Sequence, residues 1–129
     1  MRFYLLTLGC PKNLVDTEVM LGLLADGGHA FTDDPAGADV VIVNTCSFIS
    51  AAVAESCEVV ESCIELKRSG GPTRVIVAGC LPQRFGDATW DMLPGVDGVV
   101  GCSDFERIVE AVERVAAGER PYMVNEPTA

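Results

Sequence analysis

Residues 39–46 read Asp39-Val40-Val41-Ile42-Val43-Asn44-Thr45-Cys46, a run of four apolar residues that leads to a cysteine. A strand that is apolar at successive positions, rather than at alternate ones, is typical of a parallel sheet that helices cover on both faces. A second run of this kind, Arg74-Val75-Ile76-Val77-Ala78, also leads to a cysteine, Cys80. The two runs therefore predict the centre of a buried parallel sheet.

On both sides of these two runs, predicted strands alternate with predicted helices. Further strands are expected at 2–8, 29–32 and 97–101. Helices are expected at 14–25 (core positions 15, 19, 20, 23 and 24), at 49–68, at 83–93, and from a Ser103–Glu106 capping box to 118. Alternation of this kind predicts a three-layer α/β fold. With right-handed crossovers, we expect a five-stranded parallel sheet in the flavodoxin-like order 2-1-3-4-5.

The chain divides into a folded part and a tail. Its 129 residues are enough for one hydrophobic core. Residues 1–118 are predicted to form that domain. Residues 119–129 contain two prolines and have no periodicity, so they are predicted to be a linker toward a further domain that this sequence does not contain.

The charge and the cysteine content narrow the function classes. The net charge is −10 with nine scattered basic residues, so direct binding to nucleic acid or to an anionic membrane is not expected. The apolar runs are too short for a membrane helix, and no secretory signal is recognisable. We therefore expect a cytoplasmic protein whose six cysteines are reduced thiols rather than disulfides.

Three cysteines follow three predicted strands directly. Cys10 comes after the first strand, Cys46 after the third and Cys80 after the fourth. These strands are neighbours in the predicted order, and neighbouring strands lie about 4.8 Å apart, so short loops can bring the three sulfurs to a common centre. Three thiolates without a fourth protein ligand match an iron–sulfur cluster with one open iron, because a fully ligated cluster uses four cysteines.

The other candidate ligands are predicted to lie elsewhere. Cys57 and Cys63 fall on or beside the apolar stripe of the predicted helix 49–68, where a thiol fills space in the core. Cys102 follows the fifth strand, about 14 Å from Cys10 by strand spacing, and is expected to pack locally. The single histidine, His29, is expected to face solvent. A structural zinc site, or no metal at all, remains the alternative.

Three motifs resemble the N-terminal domain of the methylthiotransferases, which are radical S-adenosylmethionine enzymes. They are Leu8-Gly9-Cys10-Pro11-Lys12-Asn13-Leu14-Val15-Asp16-Thr17-Glu18, Asn44-Thr45-Cys46-Ser47-Phe48-Ile49 with Ala52, Glu55 and Ser56, and Ala78-Gly79-Cys80-Leu81-Pro82-Gln83-Arg84. The resemblance covers about residues 2–118. Pro-Lys-Asn after the first cysteine is similar to the branch that modifies a ribosomal protein, whereas the transfer-RNA branch usually has Gln-Met-Asn there.

The resemblance implies specific roles and a specific reaction. Cys10, Cys46 and Cys80 would bind an auxiliary 4Fe-4S cluster whose open iron carries the sulfur or methylthio group. A second cluster, held by a C-x-x-x-C-x-x-C motif in a following radical SAM domain, would cleave S-adenosylmethionine, and this sequence contains no such motif.

The chain would then be one domain of a transferase that is inactive alone. The full enzyme would methylthiolate an aspartate of a small-subunit ribosomal protein. A transfer-RNA methylthiotransferase domain and a non-catalytic α/β module are the alternatives.

Overall fold

The Val-rich runs form the centre of a parallel sheet. A computed structural model describes residues 1–9, 11–47, 50–70 and 74–125. Within these ranges the strands are β1 (Arg2–Thr7), β2 (Ala30–Phe31), β3 (Val40–Thr45), β4 (Arg74–Gly79), β5 (Gly98–Gly101) and β6 (Tyr122–Met123). Their order is β2-β1-β3-β4-β5-β6, and every neighbouring pair is parallel.

Helices cover both faces of the sheet. They are α1 (Pro11–Asp26), α2 (Ser50–Arg68), α3 (Cys80–Phe85), α4 (Ala88–Met92) and α5 (Ile108–Ala116). Residues of α1 and α5 form the core on one face, and residues of α2, α3 and α4 pack on the other. The three-layer α/β prediction is therefore confirmed. None of the helices in the described ranges combines the length and the apolar character needed to cross a membrane.

The central strand β3 is buried along its whole length, as its continuous apolar run predicts. Val40 and Ile42 belong to the core on the α1 and α5 face, while Val41 and Val43 belong to the core on the opposite face. Burying one apolar side chain of this size stabilises the folded state by about 1.5–3 kcal/mol. The two-sided core therefore holds β3 rigidly, and the loop after it begins from a fixed point.

The prediction of five strands is wrong by one, because β6 lies in the stretch predicted to be a linker. It pairs with β5, and Met123 is 1% exposed within the core. A two-residue strand next to Pro121 has no periodicity to read, which is why the sequence pattern did not predict it. The folded part of the chain continues past 118 to at least Asn125.

The helix predicted at 83–93 is two short helices. The first, α3, begins at Cys80, and Gly86 separates it from α4 with a φ of 59°. A left-handed φ of this kind ends a helix and suits glycine. The chain therefore turns into a helix directly at Cys80, immediately after β4.

The Ser103–Glu106 capping box predicted for the last helix does not form. A short 3₁₀ turn (Phe105–Arg107) precedes α5, and no side chain caps that turn. The carboxylate at its start, Asp104, accepts hydrogen bonds from Asn125 instead. A tertiary contact therefore replaces the expected local cap.

Two of the core positions predicted for α1 are wrong. Val15 is 60% exposed and Val19 is 50% exposed, whereas Met20 and Leu24 are buried as predicted. The helix is rotated because two polar residues, Asn13 (2% exposed) and Thr17 (8% exposed), face the sheet. They occupy those positions because they hydrogen-bond the ends of the neighbouring strands.

Candidate functional site

The carboxyl ends of β1, β3 and β4 lie level with one another. Thr7 pairs with Asn44, and Thr45 pairs with Gly79. We call this edge the cysteine rim, defined by residues 8–9, 45–47 and 79–81. Cys46 and Cys80 come directly after β3 and β4 on it. The predicted third member, Cys10, lies outside the described residues, and Gly9 precedes it.

The chain leading to Cys10 passes against the Cys46 side chain. Gly9 has a φ of 89°, and a Cβ at this position would lie 2.6 Å from Cys46 Cβ and 2.7 Å from Cys46 Sγ. Only glycine permits both this backbone conformation and this approach. Cys46 itself is 8% exposed. The structure therefore brings the β1 loop into contact with the sulfur of the β3 loop.

The loops that carry Cys46 and Cys80 are joined by hydrogen bonds. Ser47 Oγ donates to the carbonyl oxygen of Cys80 at 3.0 Å. Thr45 Oγ1 donates to the carbonyl of Ala78 at 2.6 Å and accepts from the amide of Leu81 at 3.2 Å. Thr45 thus binds the backbone on both sides of the turn into α3.

A buried amide joins the β1 and β3 ends to α1. Asn13 Nδ2 donates to the carbonyl of Leu8 at 2.6 Å and to that of Thr45 at 3.2 Å. Asn44 Nδ2 donates to the carbonyl of Asn13 at 3.0 Å and to Thr17 Oγ1 at 3.1 Å. These bonds join the first turns of α1 to the ends of β1 and β3.

Ser56, on α2, anchors the backbone of Cys46. Its hydroxyl accepts from the Cys46 amide at 3.0 Å and donates to the Cys46 carbonyl at 2.8 Å. Ser56 is fully buried, so both backbone groups of the cysteine are satisfied without water. The cysteine backbone is thereby held from the side opposite α1.

Gly79 makes the turn before Cys80 in close contact with β3. Its φ is 98°, and a Cβ there would lie 2.5 Å from Asn44 Oδ1 and 2.8 Å from the carbonyl oxygen of Thr45. Asn44 Oδ1 is a buried acceptor without a hydrogen-bond partner among the described residues. Glycine therefore permits the β4 loop to pass directly over the end of β3.

Arg84 on α3 contributes a basic side chain to the cysteine rim. Its Nη1 donates to the carbonyl of Ser47 at 2.8 Å, and its guanidinium lies 5.1 Å from the Phe85 ring centroid. The remainder of the side chain is exposed. Arg84 therefore links α3 to the loop after Cys46.

The sequence pattern did not predict that Asn13 and Thr17 would hydrogen-bond the strand ends at the cysteine rim. Asn13 and Thr17 precede Met20 and Leu24 on one helical face, at spacings of four, three and four. Polar residues that continue a buried helical stripe toward a glycine–cysteine turn were the available signal. They indicate a helix whose first turns hydrogen-bond strand ends instead of packing apolar side chains.

The described residues alone do not complete a metal site. No group of three or more histidine, cysteine, aspartate or glutamate side chains in the described ranges is placed to hold a metal ion. The predicted set needs Cys10, which lies outside those ranges. The rim supplies two described thiols, Cys46 and Cys80, and a closely held glycine turn that leads to the third.

Three further cysteines lie against the hydrophobic cores. Cys63 is 8% exposed in the core on the α2 face, and Cys57 packs against that core. Cys102 packs against the opposite core, as expected. Burial raises the pKa of the Cys63 thiol, and burial together with the nearby Glu61 carboxylate raises the pKa of the Cys57 thiol. Both α2 cysteines therefore stay neutral and fill space.

The prediction that His29 faces solvent is wrong. Its side chain is 9% exposed, and Nε2 lies 3.4 Å from the Glu113 carboxylate on α5. Its Nδ1 lies 3.4 Å from the Met1 amino nitrogen. The ring lies at the opposite end of β1 from the cysteine rim, so it contributes nothing to that site.

Comparison with known proteins agrees with the motifs at the rim. The model of a family described as "Uncharacterized protein family UPF0004" matches residues 2–101, which include Cys10, Cys46 and Cys80. The chain belongs to the family UPF0004. The methylthiotransferase resemblance, including the ribosomal-protein branch, is confirmed by the relatives of this UPF0004 domain.

Those relatives carry the name "Ribosomal protein uS12 methylthiotransferase RimO". The protein from Lachnoclostridium phytofermentans is 42% identical over 120 residues, 93% of this chain and 27% of the relative. The protein from Syntrophotalea carbinolica is 48% identical over 115 residues, 89% of this chain and 25% of the relative. The UPF0004 chain therefore spans about a quarter of the length of the relatives it matches.

Substituting Ser56 tests the anchor on Cys46. Ser56→Ala leaves the buried amide and carbonyl of Cys46 without partners, so we expect the free energy of unfolding to fall by about 1–3 kcal/mol. Ser62→Ala, on an exposed part of the same helix, removes only a bond to the Glu58 carbonyl and is the matched control. Urea denaturation measures both, and equal losses in the two variants would contradict an anchoring role.

The pH dependence of stability tests the buried thiol of Cys63. Its pKa is raised above the ordinary value of 9.0 in the folded state, so the folded state holds the proton more tightly than the unfolded state. The resulting stability is fully present below pH 9.0 and is lost as pH rises through the raised pKa. Urea denaturation at several pH values across that range measures this. The free energy of unfolding should decrease less steeply with pH for Cys63→Ala than for the wild type. An identical slope would show that Cys63 ionises freely.

Proposed function

We propose that this chain is the cluster-binding domain of a methylthiotransferase that modifies a ribosomal protein. In this proposal Cys10, Cys46 and Cys80 bind an auxiliary 4Fe-4S cluster through three thiolates. The observation that carries it is the convergence of three loops. The turn before Cys10 touches Cys46 Sγ, and the loop after Cys46 hydrogen-bonds the backbone of Cys80.

The chemistry of the donor set fits such a cluster. Thiolates are the ligands that iron–sulfur clusters take from proteins, and a site with three leaves one iron for another ligand. When bound, the cluster would supply an open iron that holds a sulfur or methylthio group for transfer. Among the described residues, no histidine, cysteine, aspartate or glutamate forms with Cys46 and Cys80 a group of three that could hold a metal ion.

The protein's own residues would orient the ligands. Metal ligands are held by outer hydrogen bonds that reduce their freedom before binding. Ser56 holds the Cys46 backbone, Thr45 holds the turn into Cys80, and Asn13 holds the carbonyl of Leu8 on the way to Cys10. Burial of Cys46 keeps water from its sulfur. These residues therefore prepare two loops and the approach to the third.

The remaining parts of the reaction would come from outside this chain. The relatives are about four times as long as the aligned region, which leaves room for a radical SAM domain in the same polypeptide. That domain would bind a second 4Fe-4S cluster and S-adenosylmethionine. We expect residues 1–129 alone to be inactive and the complete enzyme to work in the cytoplasm on a ribosomal small-subunit protein.

The ribosomal-protein branch is favoured over the transfer-RNA branch by three observations. The residues after Cys10 are Pro11-Lys12-Asn13, and the relatives named above are ribosomal protein uS12 methylthiotransferases. The net charge of −10 also disfavours contact between this domain and RNA. Mass spectrometry of uS12 and of transfer RNA, each incubated with the complete enzyme, separates the branches. A methylthio group found on the RNA alone would overturn the assignment.

Single substitutions distinguish a cluster ligand from a packed cysteine. Changing Cys10, Cys46 or Cys80 to Ala should remove most iron and sulfide after anaerobic reconstitution, because two thiolates retain a cluster poorly. Cys102→Ser should leave the iron content nearly unaltered. Cys57→Ala should lower stability by about 1 kcal/mol through a small cavity without loss of iron.

Iron and sulfide assays with thermal melts measure all five variants. Loss of as much metal in Cys102→Ser as in Cys46→Ala would replace the open cluster by a four-cysteine site. The structural-zinc alternative would then be the better one.

A further inference from the structure

The stretch after α5 is fastened to the domain rather than free of it. The carbonyl of Pro121 accepts from the Val99 amide at 3.0 Å, and the Tyr122 ring lies 6.4 Å from the Trp90 ring. The Arg120 guanidinium lies over the Trp90 ring at 4.4 Å. With Met123 in the core, residues 120–123 are held by several independent contacts. This stretch is therefore a structured edge of the sheet.

Two polar side chains, those of Asp104 and Gln83, hydrogen-bond Asn125 at the end of this stretch. Asp104, 2% exposed, accepts from the Asn125 amide at 2.8 Å and from Asn125 Nδ2 at 2.5 Å. Gln83 Nε2 donates to the Asn125 carbonyl at 2.9 Å. A buried carboxylate requires such donors, because desolvation without them is costly. We call Asp104, Gln83 and Asn125 the exit clasp.

The exit clasp lies on the same edge of the sheet as the cysteines. Since β6 runs parallel to β5, its carboxyl end points toward the edge where Cys46 and Cys80 lie. Gln83 is on α3, three residues after Cys80, and its side-chain carbonyl lies 3.4 Å from the Ser103 amide. Two strand spacings separate β6 from β4, or about 10 Å. Asn125, the last residue that the structure describes, therefore lies against α3, the helix that begins at Cys80.

We infer that the exit clasp is a positioning device, which fixes the point where the polypeptide continues and directs the next domain of the polypeptide to the cysteine rim. This inference rests on the proposed function for the identity of that next domain, which would generate the radical. A free tail of the seven residues 119–125 would spread its end over roughly 15 Å. When this stretch is held by the exit clasp, the effective concentration of the next domain near the cysteine rim is higher.

Amide hydrogen exchange on the 129-residue chain tests the clasp itself and needs no cluster. In the wild type the Asn125 amide should exchange slowly, because it donates to a buried carboxylate. Asp104→Ala should speed exchange there at least tenfold, and Gln83→Ala should do so to a lesser extent. Glu119→Ala, which changes an exposed residue of the same stretch, is the control.

The interior amides of β3 and β4 report whether each variant is folded. They should stay protected in all of them. An Asn125 amide that is equally protected in Asp104→Ala and in the wild type would overturn the clasp.

Small-angle scattering on the complete enzyme tests the positioning role. Asp104→Ala and Gln83→Ala should increase its radius of gyration, because the next domain separates from the rim, while Glu119→Ala should not. Unchanged dimensions in both clasp variants would overturn the positioning role. Neither measurement depends on bound iron, so a failure of the proposed function, seen as absence of a cluster, is distinguishable from a failure of this inference.

Discussion

The cysteine rim depends on buried side chains that hydrogen-bond the backbone of a neighbouring strand end. Asn13 binds the carbonyls of Leu8 and Thr45, and Thr45 in turn binds Ala78 and Leu81. This chain of contacts crosses from β1 through β3 to β4. The backbone hydrogen bonds between the strands end where the cysteine loops begin. Beyond that point, these side chains hold the loops in place relative to one another.

A buried hydrogen-bond network of this kind stabilises the folded state less than apolar side chains packed in the same place would. Each bond contributes only about 0.5–1.5 kcal/mol net, and each broken partner leaves a buried group unsatisfied. A fully satisfied polar network nevertheless specifies one arrangement more sharply than apolar contacts do. Asn44 departs from that pattern, because its Oδ1 is buried and unpartnered among the described residues, next to Gly79.

The sequence pattern predicted the layers and the strand order because both derive from strong signals. The continuous apolar runs before Asn44 and Ala78 require burial on two faces, and the alternation with helices leaves few topologies. The placement of Cys46 and Cys80 on one edge came from the same argument. The rotation of α1 was not predictable in this way, since Val15 and Val19 are apolar yet exposed while Asn13 and Thr17 are buried. The sixth strand was not predicted because its two residues, Tyr122 and Met123, are too few to show a periodicity, and they form a strand only by pairing with β5.

A cluster held by Cys10, Cys46 and Cys80 alone would have one open iron, and Mössbauer spectroscopy can detect that iron. The chain is reconstituted anaerobically with iron-57 and sulfide. We expect a 4Fe-4S signal with one iron site distinct from the other three, since three thiolates leave one iron without a protein ligand. We also expect this site alone to change when methanethiol is added. A protein that takes up no iron, or a cluster whose four iron sites are equivalent and unaffected by methanethiol, would show that the three thiols do not form such a site.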